Sequence, residues 1–276
     1  MAQGKRLSLS TLLATLMRPL SFRGALPNGD WDAHKSAGTR AYKKGNYAEA
    51  EAQFAVALKQ AEDLGTEDPR LGTSLNNLAL VYKVQRKFGK AEILFRRALR
   101  IYKKAQQPQH RHVASILNNL ASLYRIQRRY VDAERLFKRA LTIWENVTGP
   151  DHPNVANGLN SLAELYQAQQ KHDEAEPLFK QALRTYKRAR QPQHPQVATI
   201  LGNLAALYRS QHNYEEAERI YRRAVAVAES ALGNEHLRVA QSLEAYASLL
   251  NETNRQERAQ ELSLRANAIR AKPSNQ

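Results

Sequence analysis

Apolar residues recur along this chain in one spacing, over and over. In the stretch 69–110, Leu75, Leu78, Ala79 and Tyr82 fall at i, i+3, i+4 and i+7, one stripe of a helix. Ala91, Phe95 and Ala98 then fall at i, i+4 and i+7, the stripe of a second helix. The pair returns as Ala121, Tyr124, Ala133, Phe137 and Ala140, then as Ala163, Tyr166, Ala175, Phe179 and Ala182, then as Ala205, Tyr208, Ala217, Tyr221 and Ala224. Ala79, Ala121, Ala163, Ala205 and Ala247 each stand 42 positions after the last, as do His110, His152, His194 and His236. Self-similarity at this period predicts stacked two-helix units, each burying its apolar stripes against its neighbours. Alanine on the stripe lets backbones approach closely, and the aromatic beside it fills the space between helices.

The array is expected over residues 31–270, in six units: about 31–68, 69–110, 111–152, 153–194, 195–236 and 237–270. The first carries Gly38, the turn Gly45-Asn46-Tyr47, and Ala50, Phe54 and Ala57. The sixth keeps Ala247, Ala259 and Ala266 but has Leu250 in the tyrosine slot and Ser263 in the second aromatic slot. Such departures suit a terminal unit. Residues 1–30 do not match the repeat. Leu9, Leu12, Leu13, Leu16, Met17 and Leu20 form an apolar stripe opposite Ser8, Ser10, Thr11 and Thr15, and Pro19, Gly24, Pro27 and Gly29 follow. With Lys5, Arg6, Arg18 and Arg23 and no acid before Asp30, the segment reads as a targeting sequence, a helix capping the first unit, or a leader. Residues 271–276 read as a frayed tail.

Ser115-Ile-Leu-Asn-Asn-Leu-Ala-Ser-Leu-Tyr124, the small–aromatic–small pattern after it, and the loop Gly149-Pro-Asp-His-Pro153 carry a family likeness. The pattern resembles the tetratricopeptide repeat, and the 42-residue period looks most like the repeats of kinesin light chain. The likeness covers about Trp31 to Ile269. No heptad coiled coil of the kind that joins a kinesin light chain to its heavy chain accompanies it, so a microbial stand-alone array fits better than a kinesin subunit. The resemblance implies an all-α, right-handed superhelical solenoid of about six helix pairs, whose first helices line a concave groove.

The groove side of those helices carries Asn76, Asn77 and Lys83, then Asn118, Asn119 and Arg125, then Asn160, then Asn203 and Arg209. A side-chain amide both donates and accepts, so an asparagine ladder can hold the backbone of an extended peptide. The nearby cations can select acidic residues by charge-assisted hydrogen bonds. In similar repeats asparagines do grip peptides, and kinesin light chains take acidic ones. That carries over to Asn77, Asn119 and Asn203; it fails at Ser161, and Gly202 and Glu164 depart as well. The alternative is that asparagine near a helix start caps the helix or bonds across to the neighbouring unit.

The chain carries 42 Lys and Arg against 26 Asp and Glu, a formal charge of +16. This widens the candidate partners to acidic peptides, nucleic acid or anionic lipid. A basic cluster on the second helices (Arg96, Arg97, Arg100, Lys103, Lys104, Lys138, Arg139, Arg184, Lys187, Arg188, Arg190, Arg222, Arg223) could track phosphates. However, Glu92, Glu134, Glu176 and Glu218 recur beside it, and no exposed aromatics interleave for base stacking. A solvated face is the better reading. The four loop histidines lie one repeat apart, too far to share a metal ion, and belong to helix entry. His34, His112, His172 and His212 have no partner legible in sequence. No phosphate loop, His-Glu-x-x-His or activated nucleophile appears, so no enzyme, metal or cofactor is expected. Cysteine is absent and no run of about eighteen apolar residues spans a membrane. The expected function is a protein-interaction scaffold binding a linear acidic segment, with nucleic acid on the basic ridge as the alternative. The expected location is the cytoplasm, or an exported or organellar one if residues 1–30 direct it.

Overall fold

The computed structural model describes residues 29–65, 68–105 and 110–272. The apolar stripe of residues 9–20, the targeting reading and most of the tail lie outside these residues. Twelve helices run in chain order among the described residues. They are α1 (Gly29–Lys43), α2 (Tyr47–Asp63), α3 (Pro69–Val84), α4 (Phe88–Lys104), α5 (Arg111–Ile126), α6 (Tyr130–Thr148), α7 (Pro153–Ala168), α8 (His172–Arg188), α9 (Pro195–Ser210), α10 (Tyr214–Leu232), α11 (Leu237–Glu252) and α12 (Gln256–Ala271). Odd and even helices pair, and each pair stacks on the next, giving an all-α superhelical solenoid. Helices α3, α5, α7 and α9 also touch the next odd helix along the array. Elements packed closely on one side of a curved stack line its inner face, so the odd helices form the concave surface.

The predicted stripes are the core. Ala79, Ala91, Phe95, Ala98, Ala121, Ala133, Ala140, Ala163, Ala175, Phe179 and Ala182 have no exposed surface, and Phe137 is 1% exposed. Gly38 occupies the slot of Ala79 because a Cβ there would lie 2.6 Å from the Phe54 ring. One hydrogen bond interlocks successive units. The hydroxyls of Tyr124, Tyr166 and Tyr208 donate to Glu92, Glu134 and Glu176 of the preceding unit, each at 2.9 Å. Where Leu250 replaces the tyrosine, Tyr246, one turn earlier, reaches Glu218 at 2.8 Å. The terminal unit therefore keeps the bond from a different position.

The turn inside each unit is fixed by a residue in the left-handed region: Gly45, Arg86, Arg128, Gln170, His212 and Asn254, the last five at φ 57–61°. This lets the next N–H reach back five residues, as in Arg129 N to Tyr124 O at 2.8 Å and Lys171 N to Tyr166 O at 2.9 Å. The residue after the turn opens the second helix. Asn46 and Asn213 cap it with their side chains. Lys87, Arg129 and Lys171 instead lie over the rings of Tyr82, Tyr124 and Tyr166. A side chain with Cβ in the left-handed region costs about 1 kcal/mol that glycine avoids. Arg128→Gly is therefore expected to stabilise the array by a few tenths to about 1 kcal/mol, read as a higher denaturant midpoint.

The loop histidines are helix caps. Nδ1 of His110, His152, His194 and His236 accepts the backbone N–H two residues on, at 3.1–3.2 Å. Three of the four other histidines find partners that sequence did not show: His34 meets Gln53 Oε1 at 2.7 Å, His112 meets the Tyr102 hydroxyl at 2.9 Å, and His212 meets that of Tyr214 at 2.9 Å.

Candidate functional site

The nine groove residues all stand on the inner helices: Asn76, Asn77 and Lys83 on α3, Asn118, Asn119 and Arg125 on α5, Asn160 on α7, and Asn203 and Arg209 on α9. All are half-buried. Helical spacing places them there, since residues opposite the packing stripe turn to the open side of the same helix.

Part of the amide ladder is tied between units. Asn119 Nδ2 donates to Asn76 Oδ1 at 3.0 Å, and Asn203 Nδ2 donates to Asn160 Oδ1 and Glu164 Oε1, each at 3.1 Å. Asn160 Nδ2 also donates to Glu164 Oε1 at 2.8 Å. Asn76 bonds to its neighbour Asn77 at 3.4 Å. The cross-unit alternative is thus present in the geometry. It leaves each amide further capacity, because an amide offers two donor hydrogens and two acceptor lone pairs. Asn118 stands apart: its Oδ1 is buried without a partner.

The three groove cations differ in a way that sequence did not separate. Arg125 is 3.0 Å from Glu164 on α7, and Arg209 is held two-pronged by Glu252 on α11. Lys83 has no carboxylate partner among the described residues; its Nζ donates only to Ser122 Oγ, at 3.4 Å. Burial, and secondarily the neighbouring Arg125 charge, push the Lys83 ammonium below the usual lysine range, with Glu164 partly offsetting them. Glu252 holds Arg209 more firmly protonated. Glu164, which departs from the family pattern, is therefore a hub that joins Asn160, Asn203 and Arg125.

Cavities open along this face among the described residues. One of about 220 Å³ lies between α3 and α5, bordered by Asn76, Asn77 and Ser115. A larger one, about 380 Å³, reaches across α5, α7 and α9, bordered by Asn118, Asn119, Asn157, Asn160 and Glu164, with Trp144 of α6 in its lining. Burial pushes the Tyr186 phenol up to about 12, so it stays protonated and donates to Asn157 Oδ1 at 2.9 Å. Trp144 went unremarked in the sequence. The available signal was a tryptophan in the slot of Tyr102 and Tyr186.

On the convex side the recurring glutamates pair locally as expected: Glu92 with Arg96 at 2.8 Å, Glu134 with Lys138 at 2.7 Å, and Glu176 with Lys180 at 2.5 Å. Arg97 pairs with Glu62 and Arg188 with Asp151. Arg100, Lys103, Lys104, Arg184 and Lys187 are exposed. No helix among the described residues is long and apolar enough to cross a membrane.

The tetratricopeptide repeat family matches residues 34–104, 112–188 and 190–272. None of the curated proteins matches in sequence. Among solved structures, the chain is similar to BtubC (BKLC) from P. vanneervenii, with 24% identity over 83% of this chain and 95% of that one, and a TM-score of 0.67. It is similar to a Podosopora anserina kinesin light chain of nearly identical repeats, at 24% identity over 76% and 100% of the two chains, TM-score 0.59. A Rap protein complexed with competence and sporulation factor is similar at 17% identity over 87% and 74%, TM-score 0.65. At these identities the likeness is one of fold.

Proposed function

The chain belongs to the tetratricopeptide repeat family, and we propose that it is a non-catalytic scaffold whose concave face holds an extended, acidic segment of a partner protein. The observation that carries this is Lys83: a half-buried cation on the groove wall without a carboxylate partner among the described residues, beside Arg125. An incoming carboxylate would relieve that repulsion and form a charge-assisted hydrogen bond. Arg125 could turn from Glu164 toward the same carboxylate, whereas Arg209 is closed off by Glu252. The residual capacity of Asn76, Asn77, Asn118, Asn119, Asn160 and Asn203 suits an extended backbone. One fold neighbour, a Rap protein, is complexed with competence and sporulation factor, which supports the reading.

The test is fluorescence polarisation with a labelled peptide of alternating Glu and Gly, and the same peptide with Lys for Glu as control. Lys83→Glu is expected to weaken the acidic peptide about ten- to hundredfold, the loss of one charged hydrogen bond. Asn119→Ala should cost about tenfold or less. Since the anion binds protonated Lys83, whose titration is shifted downward, affinity is expected to fall as pH rises through a range below that of an ordinary lysine. Unchanged affinity in folded Lys83→Glu protein would sink the reading.

The exposed Arg100, Lys103, Lys104, Arg184 and Lys187 favour a second reading, nucleic acid on the convex ridge. Salt separates the two. Phosphate contacts give a steep fall of affinity with salt, and reversing Lys103 and Lys187 to Glu would flatten it.

A further inference from the structure

We propose that the cavity lined by Trp144 is a subsite for a primary carboxamide, the side chain of an asparagine or glutamine in the bound segment. Its physiological ligand rests on the groove reading above; its chemistry stands on the cavity alone.

The chain has two tryptophans. Trp31 is buried, and its indole N–H donates to Ser74 Oγ at 2.8 Å. Trp144 is equally buried, 4% exposed, yet its Nε1 has no hydrogen-bond partner. The repeat makes the contrast sharper. Tyr102 and Tyr186 hold the same slot one unit before and after, and their hydroxyls are satisfied by His112 and Asn157. At unit three the slot is filled by a larger ring with a donor left over.

The neighbouring helix has changed to suit it. Gly158 stands where Ile116 and Ile200 stand in the adjoining units. A Cβ at Gly158 would lie 3.0 Å from the Trp144 ring, so the indole rests against bare backbone. The exchange of isoleucine for glycine goes with a cavity of about 380 Å³ at this point of the groove.

The cavity's unmet demands define its ligand. Trp144 Nε1 needs an acceptor, and Asn118 Oδ1, in the same lining, needs a donor. The one carboxylate present, Glu164, is engaged at both oxygens: Oε1 by Asn160 and Asn203, Oε2 by Arg125. The cavity thus asks for one donor and one acceptor and has no charge to neutralise. A carboxylate would meet the indole but oppose the Asn118 oxygen. An ammonium would meet Asn118 and leave the indole unpaired. A primary carboxamide supplies both from one planar group. Rotating the Asn118 amide by a half-turn would instead present two donors and favour a carboxylate, the outcome that the propionate arm of the test reads.

Two tryptophans make the test direct, since a 15N-labelled protein gives two indole N–H resonances, assigned with Trp144→Phe. Propionamide is titrated through the roughly 10–100 mM range that so small a ligand requires, against propionate, propylamine and 1-propanol. The expected result is a saturating shift of the Trp144 resonance with propionamide, the Trp31 resonance unmoved, and a response at least about tenfold weaker for the other three probes. Asn118→Ala should weaken propionamide by a similar factor while leaving the Trp144 resonance dispersed as in folded protein. Equal response to any other probe, joint movement of both indoles, or no saturable shift overturns the proposal. Binding of the acidic peptide is read separately, so loss of that reading leaves this result standing, and the reverse.

Discussion

Lowering the pH from about 7.5 to 5.5 is expected to destabilise the array at its inner-helix starts, by at most about 2–3 kcal/mol in total. His110, His194 and His236 each accept a backbone N–H through Nδ1 at the first turn of an inner helix. A protonated Nδ1 becomes a donor facing a donor, at the positive end of a helix dipole. Burial, then the charges of Arg111 beside His110 and Arg238 beside the other two, hold all three below the ordinary 6.5. The sign follows. Between the folded value and 6.5 the unfolded chain binds more protons than the native one, so stability rises with pH. The contribution is full above 6.5 and is lost as pH falls through the folded values. Replacing the three with Asn, which caps without titrating, should flatten the pH dependence of the thermal midpoint in this window. An unchanged slope in the triple variant would refute the cap account. Glu134 and Glu176, held below the usual carboxylate range chiefly by Lys138 and Lys180, lose their share only in more acid solution.

Phe137→Ala is expected to cost about 3–5 kcal/mol and to divide the array, the largest effect of any single truncation considered. Its ring is 1% exposed in the middle of the continuous core. Each unit touches only its neighbours, so a weakened central unit uncouples the two halves, whereas a weakened end unit frays alone. Phe54 supplies the control: it fills the same slot in the first unit, within a smaller cluster of Ala41, Ala50, Leu78 and Val81. Native-state amide exchange should show α5 to α8 losing protection in Phe137→Ala, while Phe54→Ala leaves α5 to α12 protected. Equal, array-wide loss in both would mean that the solenoid unfolds as one cooperative block.

The sequence by itself determined the helix pairs, their number and their packing stripes. Periodicity is a local signal, and a stripe at i, i+3, i+4 and i+7 leaves no choice about which face is buried. It also placed every asparagine of the ladder on the inner helices, and it marked the loop histidines as helix entries. It did not show the left-handed turn residues, because Arg86, Arg128 and Gln170 are unlike the glycine that such a φ favours, and a backbone fixed by packing on both sides overrides that preference. Only the tertiary structure decided which polar groups remain free. Arg125 and Arg209 read in sequence like Lys83, yet their partners Glu164 and Glu252 come from the next unit, 39 and 43 positions away. The two tryptophans are alike in sequence, and the nearest neighbours in space satisfy one donor and leave the other unmet. A hydrogen bond or ion pair between units depends on side chains brought together by stacking, and no local pattern encodes that meeting.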